Sequence, residues 1–135
     1  MSAEKGYVAV VMEESELGKD EQLSSHFKKS EFNQRRRKLK YKDYSISLDL
    51  VGKLEKLRTS IGDKPVQVTS GYRTEEYNKL VGGAKRSQHM KGKAADIMVE
   101  GMTSKELKKH ADEVGFSYTQ TYEKKPHLHV DVGVR

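Results

Sequence analysis

A chain of 135 residues is long enough for one compact domain with a core and too short for two. It has no cysteine, which excludes a disulfide framework, a thiolate metal site and a thiol nucleophile, so any chemistry falls to His, carboxylates, Ser, Tyr, Lys or Arg. The net charge of +6 attracts anionic polymers without specifying which, and no stretch approaches the roughly 20 apolar residues of a membrane helix.

The N-terminal MSAEKGYVAVVMEESELGKDE has one short apolar run, with a single lysine ahead of it and acidic residues behind, which does not make a signal peptide. Cytosolic synthesis is therefore expected, and Gly6 to Met12 read as a strand. Glu14 to Ser24 are polar and show no clear pattern. His26 to Phe32 form a short amphipathic piece, and QRRRKLKYK over residues 34 to 42 reads as a basic, solvated loop.

From Leu48, the residues Leu50, Val51, Leu54, Leu57 and Ile61 recur at spacings of three and four, one face of a helix ending near Gly62. Val66 and Val68 alternate as a short strand. Gly71 turns the chain into Arg73 and a helix TEEYNKLVGG closed by Gly82 and Gly83. AADIMV, residues 94 to 99, reads as a strand. Thr103 or Ser104 caps a helix that runs through Val114 and ends at Gly115. FSYTQTYE and HLHVDVGV follow as two strands joined around Lys124 to Pro126. This order predicts a single α+β domain with an antiparallel sheet and packed helices.

Side chains alternate along a strand, so His127, His129 and Asp131 share one face of HLHVDV, while Leu128, Val130 and Val132 share the core face. In AADIMV, Ile97 and Val99 face the core and Asp96 the polar side, so Asp96 and His129 converge if the strands pair. His89 precedes Asp96 by seven residues, with Gly92 between them to let the loop fold back. Two imidazoles and a carboxylate are three protein ligands for a zinc ion, with the fourth position open to water, as hydrolytic sites require. Taken singly, a histidine is ordinarily a surface or satisfied core residue, and His26 and His110 keep that reading.

SGYRT (70 to 74), the pattern SxHxxGxAxD (Ser87, His89, Gly92, Ala94, Asp96) and the final HxH together resemble the zinc peptidases that cut peptidoglycan at D-alanine bonds. That group includes D-Ala-D-Ala carboxypeptidases and dipeptidases, L-alanyl-D-glutamate endolysins and murein endopeptidases, and the hedgehog signalling domain shares its fold. The resemblance covers about residues 26 to 135, leaving 1 to 25 as an N-terminal extension.

The resemblance implies one zinc ion held by His89, Asp96 and His129. It implies that Arg73 holds the substrate carbonyl or carboxylate and stabilises the oxyanion, and that Ser87 hydrogen-bonds substrate. His127 is expected to contact the transition state without binding metal. Many such peptidases carry an acidic general base three residues before the last ligand, where this chain has Pro126. The hedgehog domain has a glutamate six residues before it, a match that points to Glu123 as the base, with Asp131 as its rival or as a partner orienting an imidazole.

The expected function is a zinc-dependent peptidase of peptidoglycan stem peptides acting at the bacterial wall, as a carboxypeptidase or endopeptidase, with phage-type release as one route there. The alternative is a binding module that keeps zinc without turnover. Nucleic-acid binding through the basic run ranks last, because no reading module and few aromatics accompany it. A monomer without membrane insertion is expected.

Overall fold

The apolar stripe Leu50, Val51, Leu54 and Leu57 is the buried face of a helix in the computed structural model, which describes residues 13–134. The strand expected over Gly6 to Met12 lies outside the described residues. Along the chain the helices are α1 (Glu14–Leu17), α2 (Leu48–Ser60), α3 (Glu75–Leu80) and α4 (Ser104–Val114). The strands are β1 (Gln67–Ser70), β2 (Ala94–Met98), β3 (Tyr118–Thr121) and β4 (Leu128–Asp131), with 3₁₀ turns at Lys29–Phe32, Tyr41–Asp43 and Gln88–Lys91.

The helix ends follow their capping residues. The Ser47 hydroxyl accepts from the Leu50 N–H at the start of α2, and Thr103 and Glu106 close a reciprocal box at the start of α4, satisfying donors that a helix N-terminus leaves unpaired. Gly115 ends α4 in the left-handed conformation, at φ +99°. Helix α3 stops at Leu80, short of Gly82, because the chain folds back and the Gly83 N–H donates to the Asn78 carbonyl.

Each neighbouring pair in the sheet is antiparallel, in the order β1-β2-β4-β3. The core forms where Ile97, Leu128 and Val130 of the sheet meet Leu54 and Leu57 of α2 and Leu107 of α4. The fold is therefore α+β, as the element order predicts. Between Val68 and Ser70 the β1–β2 ladder slips by one residue. Such a bulge re-aims a side chain, here Thr69, whose hydroxyl donates to the Asp96 carbonyl across the pair.

The polar stretch ahead of α2 is tied to the domain by a buried leucine, two phenylalanines and a carboxylate. Leu17, Phe27 and Phe32 sit in the common core. Glu55 of α2 accepts from the Ser24 hydroxyl, the His26 N–H and the His26 ring. His26 is thus a structural contact, as is His110 of α4, whose Nδ1 lies 2.7 Å from the Ser60 hydroxyl. Partial burial works against the charge of Glu55, yet the hydrogen bonds from Ser24 and His26 outweigh it and hold the carboxyl below its usual range.

Two outcomes follow from this packing. Leu54→Ala removes a fully buried side chain and is expected to cost about 2–5 kcal/mol, read as a lower denaturation midpoint. Because the folded Glu55 carboxyl titrates below its unfolded value, its contribution is complete above about pH 5 and is lost as pH falls through the folded pKa. The stability gap between the parent and Glu55→Gln should therefore hold above about pH 5 and narrow as pH falls below it in paired denaturant titrations; a constant gap would show that the carboxylate charge contributes nothing.

Candidate metal centre

The Gln88–Lys91 turn begins at Ser87, whose hydroxyl oxygen accepts from the His89 N–H at 3.2 Å. It ends at Gly92, in the left-handed region at φ +68°. A side chain there would also collide with the Ser45 carbonyl, since a Cβ would lie 2.1 Å from that oxygen. Glycine thus lets the chain reverse against residues 45 to 47 and enter β2, as the sequence spacing suggests.

Two hydrogen bonds join this turn to the SGYRT segment. His89 Nδ1 donates to the Gly71 carbonyl at 2.8 Å, and the Arg73 N–H donates to the His89 carbonyl at 3.1 Å. Gly71 is in turn pressed against Phe32, where a Cβ would stand 2.5 Å from the Phe32 carbonyl oxygen. The first imidazole is therefore positioned by packing between segments far apart in the chain.

The β2–β4 register sets Asp96 directly opposite His129. Asp96 Oδ1 lies 3.4 Å from His129 Nδ1 and 3.6 Å from His89 Nε2. The three side chains each offer one ligand atom within 4.8 Å of the others. The structure thus brings together the three residues that the sequence singles out.

The remaining ring nitrogens test whether this set suits a metal. His89 Nδ1 faces a carbonyl oxygen, which can only accept, so in the neutral ring the proton sits on Nδ1 and the lone pair on Nε2. That Nε2 is buried and has no hydrogen-bond partner, an arrangement that ordinarily needs an explanation. His129 Nε2 donates to Asp131 Oδ2 at 2.7 Å, leaving the Nδ1 lone pair directed toward Asp96. Each imidazole is thus oriented by an acceptor behind it, as metal-binding histidines usually are. Two nitrogens and one carboxylate oxygen fit zinc with an open position.

Asp131 is fully buried and stands behind His129, outside the lining of the adjoining cavity. It orients an imidazole from there. Burial works against the charge on Asp96, but His129 and His89, when they carry protons on the nitrogens that face it, and the Tyr122 hydroxyl outweigh it and hold its carboxyl well below the usual carboxylate range. Burial also opposes a charged His129, and Asp96 and Asp131 overcome that and raise its pKa.

A cavity of about 480 Å³ opens over the three donors, and Arg73, Ser87 and His127 line it. Arg73 is held by Ser70 Oγ and Asn78 Oδ1, and its Nη2 lies 3.5 Å from Asp96 Oδ2. His127 Nδ1 lies 3.1 Å from the Thr69 hydroxyl. Because that hydroxyl spends its single proton on the Asp96 carbonyl, His127 Nδ1 is the donor and Nε2 is the ring's basic atom. Glu123 is exposed in the turn between β3 and β4 and is absent from the cavity lining.

Sequence reasoning passed over Tyr118, Gln120 and Tyr122, which line the same cavity. The Tyr122 hydroxyl donates to Asp96 Oδ1 at 2.9 Å, and burial together with the Asp96 charge pushes its pKa up, keeping it a donor. The Tyr118 ring stands edge-on to His129 at 5.9 Å. Their alternation at every second residue was the available signal, since it puts all three on the face that His129 occupies in the adjacent strand.

Residues 25–131 match the family model described as Peptidase M15. Over 45 residues, the chain is 49% identical to the zinc D-Ala-D-Ala carboxypeptidase of Streptomyces albus G, covering 33% of this chain and 18% of that protein. Over 95 residues, it is 34% identical to the peptidoglycan L,D-endopeptidase MepK of Escherichia coli K12, covering 66% of this chain and 52% of that protein. The Shigella flexneri MepK matches to the same extent. The chain thus spans about half the length of these relatives or less.

Asp131→Asn keeps the size of the side chain and leaves all three donors in place, yet exchanges the carboxylate behind His129 for an amide. Zinc affinity, measured by competition with a chromophoric chelator, should fall about 10–100-fold. An unchanged affinity would show that Asp131 serves the fold alone.

Proposed function

The chain belongs to the peptidase M15 family, and on that premise we propose that it is a zinc-dependent hydrolase of amide bonds in bacterial peptidoglycan peptides. The catalytic unit comprises residues 26 to 135, onto which Leu17 of the preceding segment packs. The observation that carries this reading is the buried, unpartnered His89 Nε2, which shares a donor set with Asp96 and His129 at the floor of an open cavity. The names of the relatives, a zinc carboxypeptidase and a peptidoglycan endopeptidase, supply the metal and the substrate class.

His89 Nε2, a carboxylate oxygen of Asp96 and His129 Nδ1 would hold the ion. Zinc bound there would lower the pKa of water and polarise the scissile carbonyl. Arg73 receives the substrate's carboxylate or developing oxyanion; Ser70 and Asn78 already fix its guanidinium, so little reorganisation is needed when charge develops. Ser87 accepts from a backbone N–H and retains its own proton, which it gives to a peptide carbonyl.

His127 carries the proton between the attacking water and the leaving amine. It lines the cavity without belonging to the donor set, and its hydrogen bond to Thr69 leaves Nε2 free to accept and then release a proton. Glu123, suggested by the hedgehog resemblance, projects from an exposed turn outside that lining and is the competing candidate.

The test incubates purified, metal-analysed protein with peptidoglycan and with D-alanine-terminated wall peptides, with and without chelator, and identifies fragments by mass. Chelator-sensitive cleavage is expected, and the fragments distinguish carboxypeptidase from endopeptidase. Bound zinc without cleavage of any wall substrate would favour a binding module. His89→Ala should lose both metal and turnover. His127→Ala should keep zinc and lose about 10²–10⁴-fold in kcat, with Glu123→Gln close to the parent; the reverse pattern would return the proton-transfer role to Glu123.

A further inference from the structure

The basic run over residues 34 to 42 takes no part in the centre described above. Its first arginines border a second cavity, of about 250 Å³, together with Thr69, Ser70, Arg73 and Tyr77. Arg73 and Val81 also line the cavity over the metal donors. At the far end Gln34 and Tyr77 are shared with a third cavity, where Arg37, Lys38 and Lys40 stand beside α3. The three cavities thus adjoin in a row at shared residues, from the metal donors past Arg73 to the basic loop, and are treated as one groove.

Charge is distributed unevenly along this groove. Among the described residues, Arg35, Arg36 and Arg73 line its middle stretch and no carboxylate does, while Asp43 and Glu76 enter only at the outer end. The Arg35 guanidinium donates to the Thr69 and Val68 carbonyls at 3.0 and 3.2 Å, which fixes a cation along the edge strand β1. The other wall is apolar, with Tyr77 followed by Leu80 and Val81, 49% and 46% exposed at the end of α3.

We propose that this groove binds the part of an acidic wall peptide that extends away from the scissile amide. Arg35, Arg36 and Lys38 receive its carboxylates, and Tyr77 and Val81 receive its apolar side groups. The inference rests on the peptidase reading above. An extended peptide advances about 3.3–3.6 Å per residue, so acidic groups on successive residues are presented at successive points along the row of cations. A nucleic-acid strand is a poorer fit: stacking on successive aromatic rings carries such binding, and among the described residues Tyr77 is the single aromatic side chain lining the middle and outer stretches.

The test compares the parent with Arg36→Gln/Lys38→Gln on two soluble stem peptides, one with free carboxylates and one with those carboxylates amidated. For the acidic peptide KM should rise roughly three- to tenfold with kcat unchanged, and the difference should fade at about 0.5 M salt. For the amidated peptide both proteins should share one KM. Equal KM values on the acidic peptide, or the same rise on both peptides, would overturn the groove alone. A parent that cleaves neither peptide would overturn both the groove and the peptidase reading. Inhibition by a single-stranded oligonucleotide that the double substitution abolishes, with peptide KM unmoved, would assign the groove to nucleic acid and overturn the proposal.

Discussion

The candidate centre depends on one cross-strand pair, Asp96 of β2 opposite His129 of β4. Side chains alternate along a strand, so a slip of one residue would turn both groups toward the opposite face and bring Ile97 or Val130 to the cavity. Register is held by what lies beneath: Ile97, Leu128 and Val130 are completely buried in the core, and exposing them would cost far more than any polar contact above them contributes. The apolar face of the sheet thus fixes the position of the polar face.

A second constraint is the orientation of the imidazoles. A histidine can present either nitrogen, and the acceptor on its far side decides which. The Gly71 carbonyl decides for His89 and the Asp131 carboxylate for His129. Asp131 remains buried at no great cost because it is hydrogen-bonded to His129 and to the Gly133 N–H. The bulge in β1 acts similarly on His127, by placing the Thr69 hydroxyl between that ring and the Asp96 carbonyl.

Positive charge shapes the wider surface. Arg73 stands between two roles, beside the Asp96 carboxylate on one side and lining the basic groove on the other. Three contacts fix its guanidinium before any ligand arrives, the condition under which a cation stabilises developing charge most effectively. Within the basic loop Tyr41 is part of the core and Leu39 packs against it, so the loop is anchored from beneath while its cations and the exposed apolar end of α3 face outward, where a bound anionic chain would meet them.

Much of this was legible in the chain alone. Three- and four-residue spacing marked α2, Thr103 or Ser104 and Gly115 marked the two ends of α4, and alternation in AADIMV and HLHVDV put Asp96 and His129 on polar faces; these are local signals, carried by neighbours in sequence. Tertiary structure alone decided the rest. Glu123 stands on an exposed turn, Asp131 supports an imidazole from within the core, and Tyr122 reaches Asp96, because these placements depend on how the β3–β4 turn and the strand ends pack against segments distant in sequence. The nearness of the basic loop to Arg73 belongs to the same class: Arg35 is bonded along the edge of β1, and Arg35, Arg36 and Arg73 line one cavity there, a proximity that spacing along the chain does not encode.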